Sequence, residues 1–114
     1  MNKPKKVLLI EDNPGDARLI REQLRDATES SFALNVVSNL EEGLSALAQQ
    51  PYHVLLLDLS LPDSFGLDTL KTVRTINQDT PIVVLTGFDD QMLAVQALQM
   101  GAQDYLLKND SHPK

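Results

Sequence analysis

Apolar residues in this chain gather in five short runs. The first, Val7–Ile10, follows Lys5 and Lys6 and stops at the adjacent acids Glu11 and Asp12. The second spans Phe32–Val37. The third, Val54–Leu57, closes on Asp58, and the fourth, Ile82–Leu85, closes on Thr86. The fifth, Asp104–Lys108, ends on a lysine. Short apolar runs bounded by turn residues read as strands buried on both faces, which a parallel sheet requires. Helical spacing fills the gaps. Asn13 reads as an N-cap, with Pro14 at the first helical position and Asp16 in the first turn. Ala17, Ile20, Leu24 and Ala27 then share one face, which predicts a helix over 14–27. Asn39 caps a second helix carrying Leu40, Leu44, Leu47 and Ala48, which stops at Pro51. Gly66 opens a third with Leu67, Leu70, Val73 and Ile76. Asp89 or Asp90 caps a fourth with Leu93, Ala94, Ala97 and Leu98, ending at Gly101. Strands alternating with helices through short loops predict an α/β fold with a parallel sheet and right-handed crossovers.

A chain of 114 residues without internal repeat or linker fits one domain with one core. Its net charge of −6 argues against direct nucleic-acid binding, which needs clustered Lys and Arg. The absence of cysteine excludes disulfide and thiolate chemistry. The apolar run behind the basic MNKPKK is too short for a signal peptide or a membrane span. The expected location is therefore the cytoplasm, with no membrane partner.

The strand ends carry the chemistry. In open α/β sheets ligands bind at the carboxyl ends of the strands. Glu11, Asp12, Asp58, Thr86 and Lys108 all fall there, so three acids, a hydroxyl and an ammonium can face one crevice. Crowded carboxylates repel, and a hard divalent cation relieves them. Oxygen donors of this kind suit Mg²⁺, which keeps several waters and favours phosphate-bearing partners. Lys108 and Thr86 suit phosphoryl oxygens. Taken singly, each residue also has a plainer account: a solvated acid pair before a helix, a turn aspartate, a strand threonine, a charged strand end.

Taken together, the acid pair Glu11–Asp12, the segment LLLDLSLPDSFG around Asp58, IVVLTG and GAQDYLLK make the chain resemble a response-regulator receiver domain of two-component signalling. The resemblance covers 1–114 as a single domain. It implies a flavodoxin-like, doubly wound five-stranded sheet in the order 2-1-3-4-5. It implies that Asp58 accepts a phosphoryl group from a histidine kinase, a phosphotransfer protein or a small acyl phosphate. It implies that Glu11, Asp12, Asp58 and the Ser60 backbone carbonyl hold Mg²⁺, that Thr86 and Lys108 contact the phosphoryl group, and that Tyr105 swings inward with Thr86. Such a domain is regulatory and catalyses only its own phosphorylation and dephosphorylation. Its partners are the phosphodonor and a downstream output domain or protein. A dimer through an exposed sheet face, or through the face of the fourth helix and fifth strand, is a further expectation. The proposed switch is a two-state equilibrium biased by phosphorylation. Gly87 would absorb the backbone shift behind Thr86.

Two features depart from the family. Its lysine is commonly followed by proline through a cis bond, whereas Asn109 follows Lys108. A non-prolyl cis bond costs about 3–4 kcal/mol, so a trans bond with Lys108 displaced, or a strained loop, is expected. The family's fifth helix is also missing. Apolar surface of the fourth and fifth strands should then lie bare beside the first helix, and trimming from a longer protein is the favoured explanation. Three competing functions stand beside the receiver. A haloacid-dehalogenase-like phosphatase would need a second aspartate where Ser60 stands. A nucleotide hydrolase would need a G-x-x-x-x-G-K-[ST] loop, and none exists. A degenerate receiver could act as a phosphorylation-independent docking module. His53 and His112 are expected to be non-catalytic. Phe88 and Ser60 are expected at the mouth of the site, and Asp63, Asp89 and Asp90 on its rim.

Overall fold

Strand β3 (Val54–Asp58) forms the middle of the sheet, pairing in parallel with β1 (Lys5–Ile10) and β6 (Ile82–Thr86). In this computed structural model, which describes residues 4–27, 31–87 and 90–108, β2 (Phe32–Val37) flanks β1 and β7 (Asp104–Leu107) flanks β6. The resulting order β2-β1-β3-β6-β7 is the one the resemblance implies. The fourth and fifth sheet strands are numbered β6 and β7 because a two-stranded hairpin intervenes. In it β4 (Ser60–Leu61) pairs antiparallel with β5 (Ser64–Phe65) across Pro62 and Asp63. From sequence this stretch reads only as a turn, because two-residue strands carry no alternation to detect.

Four helices pack on the sheet: α1 (Pro14–Ala27), α2 (Leu40–Gln49), α3 (Leu67–Ile76) and α4 (Gln91–Gln99). Successive strand residues point to opposite faces, and the core divides accordingly. Leu8, Ile10, Leu55, Leu57, Ile82 and Val84 meet α2, α3 and α4 through Leu40, Leu47, Leu70, Val73 and Ala97. Val7, Leu9, Leu56 and Leu85 meet α1 through Ala17 and Ile20. That second face is the thinner one. No helix follows β7 among the described residues, and Leu106, which pairs in register with Leu85, is 45% exposed. The expected bare surface is therefore present, as a groove lined by Leu19, Ile20, Gln23, Leu85 and Leu106.

Local contacts fix the loops that frame the strand ends. Asn13 Oδ1 accepts from the Asp16 amide at 3.0 Å, and Asn39 Oδ1 from the Glu42 amide at 2.8 Å, as N-caps do. Asp63, read from sequence as a rim acid, is occupied internally. Its two oxygens accept from the amides of Leu40 (2.8 Å) and Glu41 (3.0 Å), capping α2 from the hairpin turn. Those bonds, led by Leu40, hold its pKa below the ordinary value. Asp90 occupies the N-cap of α4 but makes no side-chain capping bond. Gly66 takes φ 75° at the N-cap of α3, a conformation that excludes most side chains. Gly43 lets α2 lie against β1, since a Cβ there would stand 2.8 Å from Ile10 Cγ1 and closer still to Cδ1. His53 lies away from the acids, at the other end of β3. Its Nδ1 accepts from the Lys6 amide at 2.8 Å, a structural role. Phe88, Asp89, Asn109 and His112 lie outside the described residues.

Candidate functional site

The register decides the site. Ile10 pairs with Leu57, so the residues that follow, Glu11 and Asp58, end neighbouring buried strands side by side. Glu11 is 2% and Asp58 1% exposed, while Asp12 faces solvent. Each of the three offers a carboxylate oxygen, and these lie within 4.8 Å of one another. The Lys108 amide continues the β6–β7 ladder by donating to the Thr86 carbonyl at 2.6 Å. From that anchor its Nζ reaches Asp58 Oδ2 and Glu11 Oε1, both at 3.1 Å. The expected displacement of Lys108 is thus not observed. The peptide bond to Asn109 lies outside the described residues, and the side chain reaches the acids because ladder pairing carries on to residue 108.

Further donors hold the acids in place. The Ser60 amide donates to Asp58 Oδ1 at 3.0 Å, and the Asn13 amide to Glu11 Oε2 at 3.2 Å. Burial, reinforced by the neighbouring Asp58, raises the Glu11 pKa from 4.5 to about 8, although Lys108 and the Asn13 amide pull the other way. Burial alone would depress Lys108, but the charges of Asp58 and Glu11 outweigh it and raise its pKa. The ammonium is firmly protonated, and Glu11 gives up its proton less readily than a free carboxyl does.

Thr86 ends β6 at 3% exposure, and its Oγ1 is buried without a hydrogen-bond partner. Leaving a buried hydroxyl unpaired costs about 1–3 kcal/mol, and among the described residues nothing offsets that cost for Thr86. Tyr105, half-buried, packs against the α2–α4 face of the core. Ser60 is exposed two positions after Asp58. One participant escapes sequence reading altogether: Asp16, whose Oδ2 lies 3.2 Å from Lys108 Nζ. A first-turn acid is explained well enough by the helix dipole, so the pattern held no signal for a second task.

A doubly wound sheet with a partly buried acid cluster and an ammonium at its carboxyl edge defines a class of α/β modules suited to phosphoryl and cation chemistry. The comparisons narrow it. Residues 7–113 match the response regulator receiver domain family, and the chain belongs to that family. It is 35% identical over 105 residues to the acid tolerance regulatory protein ActR of Rhizobium meliloti, covering 92% of this chain and 53% of ActR. The chain thus spans about half the length of that curated relative. Among solved structures, it resembles the receiver domain of the sensor histidine kinase PA1611 of Pseudomonas aeruginosa, which has a magnesium ion coordinated in its active-site cleft. The TM-score is 0.75 and the identity 28%, over 93% of this chain and 86% of that one. It also resembles the phosphorylated cyanobacterial phytochrome response regulator RcpA, with TM-score 0.76 and 28% identity over 96% and 84% of the two chains. Among the described residues no helix is long and apolar enough to cross a membrane.

Proposed function

We propose that the chain is a phosphoacceptor switch in which Asp58 receives a phosphoryl group from a phosphohistidine of a kinase or phosphotransfer protein, or from a small acyl phosphate. One observation carries this reading. Asp58, 1% exposed at the end of the central strand, has the Lys108 ammonium at 3.1 Å and two further carboxylates beside it. A carboxylate oxygen of Asp58 attacks phosphorus, the bond to the donor's nitrogen or oxygen breaks, and the donor leaves with that electron pair. The product is an aspartyl phosphate.

The donor set suits Mg²⁺: hard carboxylate oxygens close enough to share one ion, on a rim open to water through Asp12. Glu11, Asp12, Asp58 and the Ser60 carbonyl are the residues we assign to hold it. When bound, the cation neutralises charge on the acceptor and phosphoryl oxygens. Lys108 balances the charge that phosphorylation adds. Thr86 Oγ1 donates to a phosphoryl oxygen, ending its unpaired state, and Tyr105 follows the vacated space. Output passes through the neighbouring face, where α4 presents Met92, Val95 and Leu98 to solvent. The receiver of PA1611 with its coordinated magnesium and the phosphorylated RcpA support the reading by analogy.

Intact mass after incubation with Mg²⁺ and acetyl phosphate tests it. One added phosphoryl group, absent in Asp58→Asn, is expected. No addition to the unaltered chain would overturn the proposal. NMR of Thr86→Ala tests the switch, since phosphorylation should then leave the Tyr105 ring where it was.

A further inference from the structure

Lys108 Nζ has three protons and three acidic side chains whose oxygens can receive them: Glu11 Oε1 and Asp58 Oδ2 at 3.1 Å, and Asp16 Oδ2 at 3.2 Å. The three acids come from three places: the loop after β1, the end of β3 and the first turn of α1. They are not equivalent. Glu11 and Asp58 also belong to the acid cluster assigned to the cation, whereas Asp16 lies outside it. Oxygens shared with a divalent cation hold an ammonium less well, and like charges in the crevice push the ammonium outward. Asp16 alone keeps its full charge for Lys108. The Lys108 amide is tied to the Thr86 carbonyl, but among the described residues β7 is an edge strand paired only with β6, with Leu106 bare on its α1 side, so the strand beneath this lysine is held on one side.

We propose that Asp16 is a positioning residue that keeps the Lys108 ammonium beside Asp58 while the cation and then the phosphoryl group enter. The inference rests on the phosphoacceptor reading for its purpose, but the tether itself can be observed without any phosphoryl transfer. Asp16 is suited to the task by its setting. Its side chain is 33% exposed, at the solvent edge of the crevice, and its amide is pinned to Asn13 Oδ1 at 3.0 Å. Rotation about two side-chain bonds lets it follow the ammonium toward a phosphoryl oxygen.

The first test is the side-chain ammonium signal of Lys108 in the full chain labelled with ¹⁵N-lysine, assigned by its loss in Lys108→Ala. A held ammonium exchanges its protons slowly and gives a sharp signal. With Mg²⁺ at saturation the signal should persist in the unaltered protein and vanish in Asp16→Asn. Persistence in Asp16→Asn overturns the tether. The second test is the rate of phosphorylation by acetyl phosphate in a double-mutant cycle. Asp16→Asn should slow the reaction by roughly fivefold when Lys108 is present and leave it unchanged in a Lys108→Ala background. Equal slowing in both backgrounds would mark Asp16 as a plain helix-start acid and overturn the proposal. If the unaltered chain took no phosphoryl group, the phosphoacceptor reading would fall while the ammonium signal still judged Asp16.

Discussion

Glu11 should make the metal-free protein less stable as the solution becomes more alkaline. Its carboxyl is buried beside Asp58, and its pKa rises from 4.5 to about 8 on folding. Between those values the native state holds a proton that the unfolded chain has lost, so stability falls as pH rises through the window. Each pH unit contributes at most about 1.4 kcal/mol, which sets a ceiling of roughly 5 kcal/mol. Lys108 and the Asn13 amide both favour the ionised form, and the crevice can admit water as Glu11 ionises, so a loss of about 2–3 kcal/mol is the working figure. The perturbation is Glu11→Gln, which keeps the shape and has no proton to lose. Its amide must turn one NH₂ toward Lys108, a cost that is constant with pH. The slope, rather than the absolute stability, is therefore the readout. Urea unfolding with chelator present, at about pH 5 and about pH 8, should show the decline in the unaltered protein and a flatter profile in Glu11→Gln. Saturating Mg²⁺ should restore stability at the alkaline end only when Glu11 is present, because a ligating carboxylate must be deprotonated. A level profile in the unaltered protein, or the same slope in both, would refute the reasoning.

Gly43→Ala should destabilise by about 1–2 kcal/mol, since overpacking against Ile10 outweighs the roughly 1 kcal/mol gain in helix propensity. Adding Ile10→Val removes the Cδ1 in the way, so denaturant titration should find the pair more stable than Gly43→Ala alone. Asp63→Ala should cost about 1 kcal/mol near neutral pH by uncapping α2. Because the folded pKa of Asp63 is depressed, that deficit should shrink in acid as the carboxyl protonates, which unfolding series at two pH values would reveal. Thr86→Val removes a buried, unpaired hydroxyl, so it should leave stability unchanged or raise it by about 1 kcal/mol. The same variant should lose the phosphorylation-dependent movement of Tyr105 seen by NMR.

The sheet was readable in advance because a strand buried on both faces leaves an unbroken apolar run, and VLLLD has that form. Helix α1 was readable to its last residue because Asn13, Pro14 and a clean apolar stripe mark it. The acids and the lysine could be grouped because parallel strands bring their carboxyl ends to one edge. What stayed hidden depends on contacts between distant segments. Asp63 caps a helix 22 positions earlier than itself, at Glu41. Asp16 meets a lysine 92 positions away. The buried isolation of the Thr86 hydroxyl is a property of its surroundings and leaves no trace in the local pattern. Asn109 in place of proline suggested a misplaced lysine, but the bond from the Lys108 amide to Thr86 holds the stem regardless.

The two signs of charge at this edge are mounted on supports of unequal stiffness. Glu11, Asp12 and Asp58 issue from β1 and β3, each clamped by a neighbour on either side. Among the described residues, Lys108 hangs from a four-residue strand with one neighbour and an uncovered flank. Fraying that begins at this margin would withdraw the cationic arm before it loosened any acid, leaving the carboxylates facing one another without a counter-charge. Whatever comes to rest against the Leu106 flank would therefore govern, at a distance and without touching the acids, how long the crevice keeps its balance of charge.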